Sequence, residues 1–204
     1  MTDLVKQQLI NTALAHLGEP GFDDIDADPQ PEKLFKTLAQ LDGSAGVKAK
    51  ALERHPWFCA LAYAELDPAA RAGNWRWSHV FDLPNDFAKL WLVQGTDLEY
   101  ERGTDIVSSV PKAVIRAKTA GPLKVAYAFD APYEALTAML LNAMSFDLAA
   151  RVAGPLQEDR RKGRDLEAKA EAAYAQAATN EAADFGGEDP LFTSTFADLR
   201  ASAG

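Results

Sequence analysis

The 204-residue sequence holds a single cysteine, three histidines and no apolar stretch long enough to span a bilayer. With Cys59 alone, an internal disulfide and a cysteine-cluster metal site are both excluded. His16, His55 and His79 stand far apart, and none pairs with another histidine or a carboxylate at helical ligand spacing. The bland reading of each is a polar surface or interface residue. Basic residues are also scarce: 21 Lys and Arg face 30 Asp and Glu, a formal charge of -9, with a pI near 4.8. Non-specific duplex binding needs a basic face to release counterions, so the balance argues against it. It leaves open an acidic surface that DNA slides past without sticking. A phosphate-cradling loop is missing, since Gly186-Gly187-Glu188 lacks both the following Lys-Ser/Thr and a preceding strand. A nucleophile elbow is missing too. The start, Met1-Thr2-Asp3-Leu4-Val5-Lys6, lacks the basic opening and apolar block of a signal peptide, which implies synthesis in the cytosol.

What is present suits a packed core: 48% of residues are apolar and 25% charged. The chain turns on His55-Pro56-Trp57-Phe58-Cys59-Ala60-Leu61-Ala62. Pro56 ends a helical pattern, and aromatic-rich extended chain leaves it. Before it, Val5, Leu9, Ala13 and Leu17 recur at helical spacing, with Thr2 as N-cap and Gly18 with Pro20-Gly21 as the stop. A second helix opens at Pro31 and reads as continuous to Pro56, softened at Gly43 and Gly46, although two shorter helices fit as well. Between residues 57 and 129, strand patterns fall at Trp57–Leu66, Trp75–Phe81, Lys89–Gln94, Ala113–Lys118 and Lys124–Phe129, with a short hairpin piece at Leu98–Glu101. A helix then follows Asp130 and Pro132 until Gly154-Pro155 breaks it, and a long Ala-rich amphipathic helix spans Glu158–Ala183. The predicted fold is α+β and mainly α. It is a helical bundle with a small antiparallel β-sheet inserted between the N-terminal and C-terminal helices. Residues 1–185 form one domain, helical at 1–56 and 130–185 with the β insert at 57–129, and 186–204 form a tail.

Three features invite a functional reading. The run Arg160-Arg161-Lys162-Gly163-Arg164 reads first as a solvated helix face answered by Glu158, Asp159, Asp165 and Glu167. Contact with an acidic partner or DNA phosphate is the alternative. Asp23-Asp24-Ile25-Asp26-Ala27-Asp28 has the look of a calcium loop but lacks the central Gly and closing Glu, so a solvated loop is expected. The aromatic group Trp57, Phe58, Trp75, Trp77, Phe81, Phe87 and Trp91 is the strongest signal. Packing onto the helices and burial against a neighbouring subunit both account for it. Cys59, next to an aromatic pair, reads as a buried structural thiol.

Four stretches, in order, carry a resemblance. They are Leu9-Ile10-Asn11-Thr12-Ala13-Leu14-Ala15-His16-Leu17-Gly18-Glu19-Pro20, then Ala51-Leu52-Glu53-Arg54-His55-Pro56-Trp57 running on to Ala60. Trp77-Ser78-His79-Val80-Phe81-Asp82-Leu83-Pro84-Asn85-Asp86-Phe87 follows, and last comes the C-terminal helix pair joined at Ala149-Ala150-Arg151-Val152-Ala153-Gly154-Pro155-Leu156. Nearly end to end, the chain resembles the tail tubular protein A-like family, the head–tail connector (adaptor) proteins of tailed bacteriophages. It departs from the family at Phe58-Cys59, where Asn-Phe is usual after Pro-Trp, and across Glu101–Pro111. The resemblance implies a structural, non-enzymatic protein with no cofactor and no metal. It implies a ring, commonly of twelve subunits, beneath the portal protein. Such a ring extends the DNA channel without gripping DNA and offers a docking surface for a downstream tail or nozzle protein. Its place is then the head–tail junction of the virion, and the host cytoplasm during assembly, with no membrane. On this reading Trp75, Trp77 and Phe81 serve subunit or tail-partner contact, while Phe192, Phe196, Leu199 and Arg200 dock on the portal. The rivals are a head-completion adaptor of long-tailed phages, a small enzyme built from scattered residues, and a dimeric helical DNA-binding regulator.

Overall fold

A computed structural model describes residues 4–23, 31–42, 45–71, 73–94, 98–107, 109–157 and 160–184. The chain divides into two compact units: Met1–Cys59 with Ala131–Gly204, and Ala60–Asp130.

The first unit is helical. It comprises α1 (Leu4–Leu17), α2 (Pro31–Asp42), α3 (Val47–Arg54), α4 (Ala138–Gln157) and α5 (Arg160–Asp184), with 3-10 turns at Phe58–Ala60, on leaving for the second unit, and at Tyr133–Ala135 before α4. The stripe Leu9, Ile10, Ala13, Leu14 and Leu17 buries the inner face of α1. Helix α4 packs against α1, α2, α3 and α5. It can do so because it is apolar on several faces: Leu140, Ala143, Met144, Leu148, Ala149, Val152 and Ala153 are all fully buried. Small residues there let the neighbours approach closely, as at Gly163 of α5, where a Cβ would lie 3.3 Å from the Ala150 carbonyl. A polar seam ties the helices. Buried Asp147 accepts from Arg151 Nε at 2.9 Å, and Arg151 reaches the Ala45 carbonyl at 2.8 Å. The Arg54 guanidinium lies over the Tyr174 ring at 4.4 Å and donates to Glu171 at 2.7 Å.

Two helical boundaries differ from the sequence reading. The stretch after Pro31 is two helices: α2 ends at Asp42 and α3 starts at Val47, with Gly46 as N-cap in an extended conformation. Gly154-Pro155 does not break α4, which runs two residues past Pro155. Burial of Val152 and Ala153 holds this last turn despite the missing proline donor.

The second unit is built of strands: β1 (Leu61–Leu66), β2 (His79–Asp82), β3 (Phe87–Val93), β4 (Tyr100–Val107), β5 (Val110–Ala117) and β6 (Leu123–Phe129). They form two three-stranded antiparallel sheets, ordered β1-β6-β3 and β2-β5-β4. Leu66, Val93, Leu123, Val125 and Tyr127 of the first sheet meet Phe81, Ile115 and Ala117 of the second in one apolar cluster. This overturns the expected helical bundle with one small inserted sheet, because the strands form two sheets with a core of their own. The underestimate has a local cause. Strand β4 is mostly exposed and alternates Glu, Arg, Gly, Thr and Asp rather than apolar with polar. Its pairing with β5 over eight residues, Tyr100↔Ala117 to Val107↔Val110, therefore leaves little trace in hydropathy. The chain enters and leaves this unit on adjacent strands, with Leu61 opposite Ala128.

Candidate functional site

The loop between β1 and β2 presents the most exposed large apolar side chain among the described residues, Trp75, at 95% of its surface. Local chemistry fixes that presentation. Pro68 bridges to Phe81, and the Ala69 N–H donates to the Val80 carbonyl at 2.7 Å, closing the base. At the apex, the Asn74 side-chain oxygen accepts from the Arg76 N–H at 3.0 Å and the Trp77 N–H at 2.8 Å. This is an Asx turn, in which a side chain replaces a backbone acceptor. Gly73 permits the tight path, since a Cβ there would fall 1.9 Å from the Trp77 carbonyl oxygen.

The three aromatics named for partner contact therefore part company. Trp75 faces solvent. Trp77 is buried at 4% exposure, its indole N–H donating to the Glu101 carboxylate. The Arg76 guanidinium stands 5.1 Å and the Lys118 ammonium 5.9 Å from its ring. Phe81 is wholly inside the β core. Trp77 and Phe81 thus brace the loop from within and have little surface left for a partner. Phe192, Phe196, Leu199 and Arg200 lie outside the described residues.

Below the loop, the outer face of β2-β5-β4 carries linked ion pairs. Arg71 contacts Asp82 and Asp105, Lys112 reaches Asp82 at 3.2 Å, and Arg116 bridges Asp105 and Glu101. The Arg71 hydrogen bond, reinforced by Lys112, holds the Asp82 carboxyl below its usual range. Arg116 lies flat over Gly103, where any Cβ would meet its guanidinium at 2.5 Å. Further along, at the tip of the β4–β5 hairpin, Ile106 and Val110 are 72% and 62% exposed, and Ser109 adopts φ 67° to make the turn.

The helical unit has its own candidate at the His55–Cys59 landmark. Trp57 is buried and its indole N–H donates to the Ala51 carbonyl at 2.7 Å, which caps the last turn of α3. The Phe58 N–H donates to the Glu181 carboxylate of α5. His55 Nε2 stands 4.0 Å from the same carboxylate, yet burial dominates and lowers the imidazole pKa. Burial likewise raises the pKa of the Cys59 thiol, which keeps it protonated and a poor nucleophile. Phe58 is 39% and Met139 43% exposed. Asn180 Nδ2 of α5 lies 3.1 Å from Met139 Sδ. Sequence reasoning did not single out Glu181, because it sits in no motif. The Gly73-Asn74 turn was legible as a dipeptide, but the strand-like alternation from Trp75 onward masked it.

The other candidates have structural work. In the basic run, Lys162 donates to the Leu17 carbonyl at 2.6 Å and caps α1, while Arg160, Arg161 and Arg164 are exposed. His16 stacks on Phe146 at 4.1 Å and shares a hydrogen bond with Ser145. His79 opens β2 opposite Ala117. Of the acidic loop, residues 24–28 lie outside the described residues. Among the described residues no group of three His, Cys, Asp or Glu side chains is placed to hold a metal, and no helix is long and apolar enough to cross a membrane. No family model matches this chain, and no curated protein matches it.

Proposed function

We propose that this protein is a non-enzymatic head–tail connector of a phage or prophage particle. It forms a ring under the portal, extends the DNA channel and receives tail proteins. The observation that carries the reading is Trp75. A wholly solvated tryptophan on a loop locked by Asn74 and Gly73 is an anchor made ready for another macromolecule. The distribution of charge supports it. The segment Ala60–Asp130 has eight Lys and Arg against nine Asp and Glu, while the rest of the chain has thirteen against twenty-one. The acidic surplus therefore falls outside Ala60–Asp130, and an acidic chain suits a channel that DNA passes without adhering. The β unit is nearly neutral and exposes Trp75, Ile106 and Val110, which suits protein contact.

Contacts between copies in such a ring are heterologous and close by rotation. The test is native mass by light scattering, alone and mixed with the portal protein of the same particle. A closed multimer in either condition supports the connector and gives the subunit number. Monomer or dimer in both, with no portal binding, overturns it. The C-terminal residues Phe192, Phe196, Leu199 and Arg200 are assigned to portal docking. Deletion from Asp189 onward should leave a folded protein that no longer joins heads, and normal joining by the truncated chain would refute that assignment.

A further inference from the structure

One face of the β2-β5-β4 sheet is left unused by the sandwich core. Residues opposed in an antiparallel register share a face. Asp82 of β2, Val114 and Arg116 of β5, and Glu101, Gly103 and Asp105 of β4 therefore lie together. The alternate residues, Phe81, Ile115 and Ala117, are the ones that enter the apolar cluster. Val80, opposite Arg116, and Val114 are nonetheless buried. Among the described residues, the segment bonded to this face from outside the sheet is the Trp75 loop. It is held at two feet: Arg71 contacts Asp82 and Asp105, and the Trp77 indole donates to Glu101.

Both feet depend on one guanidinium, and among the described residues it bonds to neither of them. Arg116 takes Oε1 of Glu101 and Oδ1 of Asp105. The second oxygen of each carboxylate is thereby aimed at the loop, Glu101 Oε2 at Trp77 and Asp105 Oδ2 at Arg71. Arg116 also reaches the Thr104 carbonyl at 3.4 Å, and it can lie there because Gly103 has no side chain. We propose that Arg116 is the latch of the Trp75 loop, a positioning residue that acts through Glu101 and Asp105. The loop is a strap over Val80 and Val114. Breaking the latch lets the strap lift from its Trp77 end, because the Arg71 foot keeps a second hold on Asp82. Lifting is a local event, since what the strap covers is separate from the sandwich core. It exposes Trp77, Val80 and Val114 and takes Trp75 off its fixed mount. The latch concerns the loop itself, whatever macromolecule Trp75 meets, so it stands or falls apart from the connector reading.

The test is hydrogen exchange read by NMR on the full-length protein and three variants. The reporters are the Trp77 indole N–H at the lifting end, the Ala69 N–H bonded to Val80 at the other end, and the β6 amides in the core. Arg116→Gln should speed exchange of the Trp77 indole about tenfold or more, that of Ala69 by less, and that of β6 not at all. Arg116→Lys keeps the charge but cannot bridge both carboxylates, and should fall between wild type and Arg116→Gln. Gly103→Ala leaves every charged group in place and pushes the guanidinium aside, since the added Cβ would lie 2.5 Å from Arg116 Nη1. Alanine in a strand ordinarily stabilises relative to glycine, so faster Trp77 exchange in that variant is the signature of the latch. Unchanged Trp77 exchange in both Arg116→Gln and Gly103→Ala overturns the proposal. Loop and β6 amides accelerating by the same factor in both variants also overturn it, and make Arg116 a support of the whole sheet. Acceleration confined to the loop in both establishes the strap.

Discussion

At the scale of single residues, Trp57 before the β region and Trp75 in the loop between β1 and β2 do opposite jobs, one buried and one exposed. Trp57 is 1% exposed and closes α3 through its indole N–H. Trp57→Ala should cost the helical unit about 3–5 kcal/mol. Trp57→Phe, which keeps most of the ring but loses the donor to Ala51, should cost about 1–3 kcal/mol. Urea unfolding followed by helix signal ranks the two. Two histidines add a dependence on pH. Burial lowers the pKa of His55, and burial with the Lys169 charge lowers that of His16. Each folded pKa lies under its unfolded value, so between the two the unfolded chain binds more protons. Stability is therefore fully present above about pH 6.5 and falls as pH drops through the depressed folded values. The urea midpoint should drop from about pH 7 to about pH 5, and the His16→Gln/His55→Gln double variant should flatten that slope. A midpoint that rises on acidification would show the Glu181 carboxylate outweighing burial at His55. Sequence showed that these histidines were not metal ligands at helical spacing, but not that Phe146 and Glu181 would adjoin them. Both neighbours arrive from more than a hundred residues away.

At the scale of elements, legibility followed amphipathicity. Helix α1 and the final helix were readable because one face is apolar and one polar. Strand β6 was readable because it is buried along most of its length. Strand β4 was hidden, since an edge strand wet on both faces carries almost no apolar period. The Gly-Pro pair in α4 misled, because tertiary packing outweighed local preference. Two glycines test these points in opposite directions. At Gly154, in α4, a Cβ would meet nothing within 4 Å. Gly154→Ala should raise stability by about 0.5–1 kcal/mol through reduced backbone freedom in the unfolded chain. At Gly73 the Cβ would strike backbone. Gly73→Ala should lower stability of the β unit on the order of 2 kcal/mol and loosen the Trp75 loop. Thermal melts of both variants check the signs, and increased fluorescence mobility at Trp75 checks the second effect.

At the scale of the whole molecule, the sequence carried the division of labour only coarsely. Composition showed acidity, and the excess falls outside Ala60–Asp130. The position of the β region between two helical runs was visible. Its two sheets were not, because which strands share a sheet is set by long-range pairing such as Leu61 with Ala128. The interruption of the helical unit by a self-contained β unit also has a consequence for synthesis. Helices α1 to α3 leave the ribosome first, yet the helix they all pack against, α4, begins only at Ala138. The intervening segment can fold as soon as it emerges, since its core is entirely its own. The apolar face of α1 must meanwhile wait, uncovered, for its partner. Stalled nascent chains ending a ribosome-tunnel length beyond Asp130 should therefore protect the β unit from protease while α1 to α3 are still cut. Chains released past Asp184 should protect both. On this view the β unit is the first part of the protein to become native, and the helical part is open to chaperones or to a neighbouring copy until translation is nearly done.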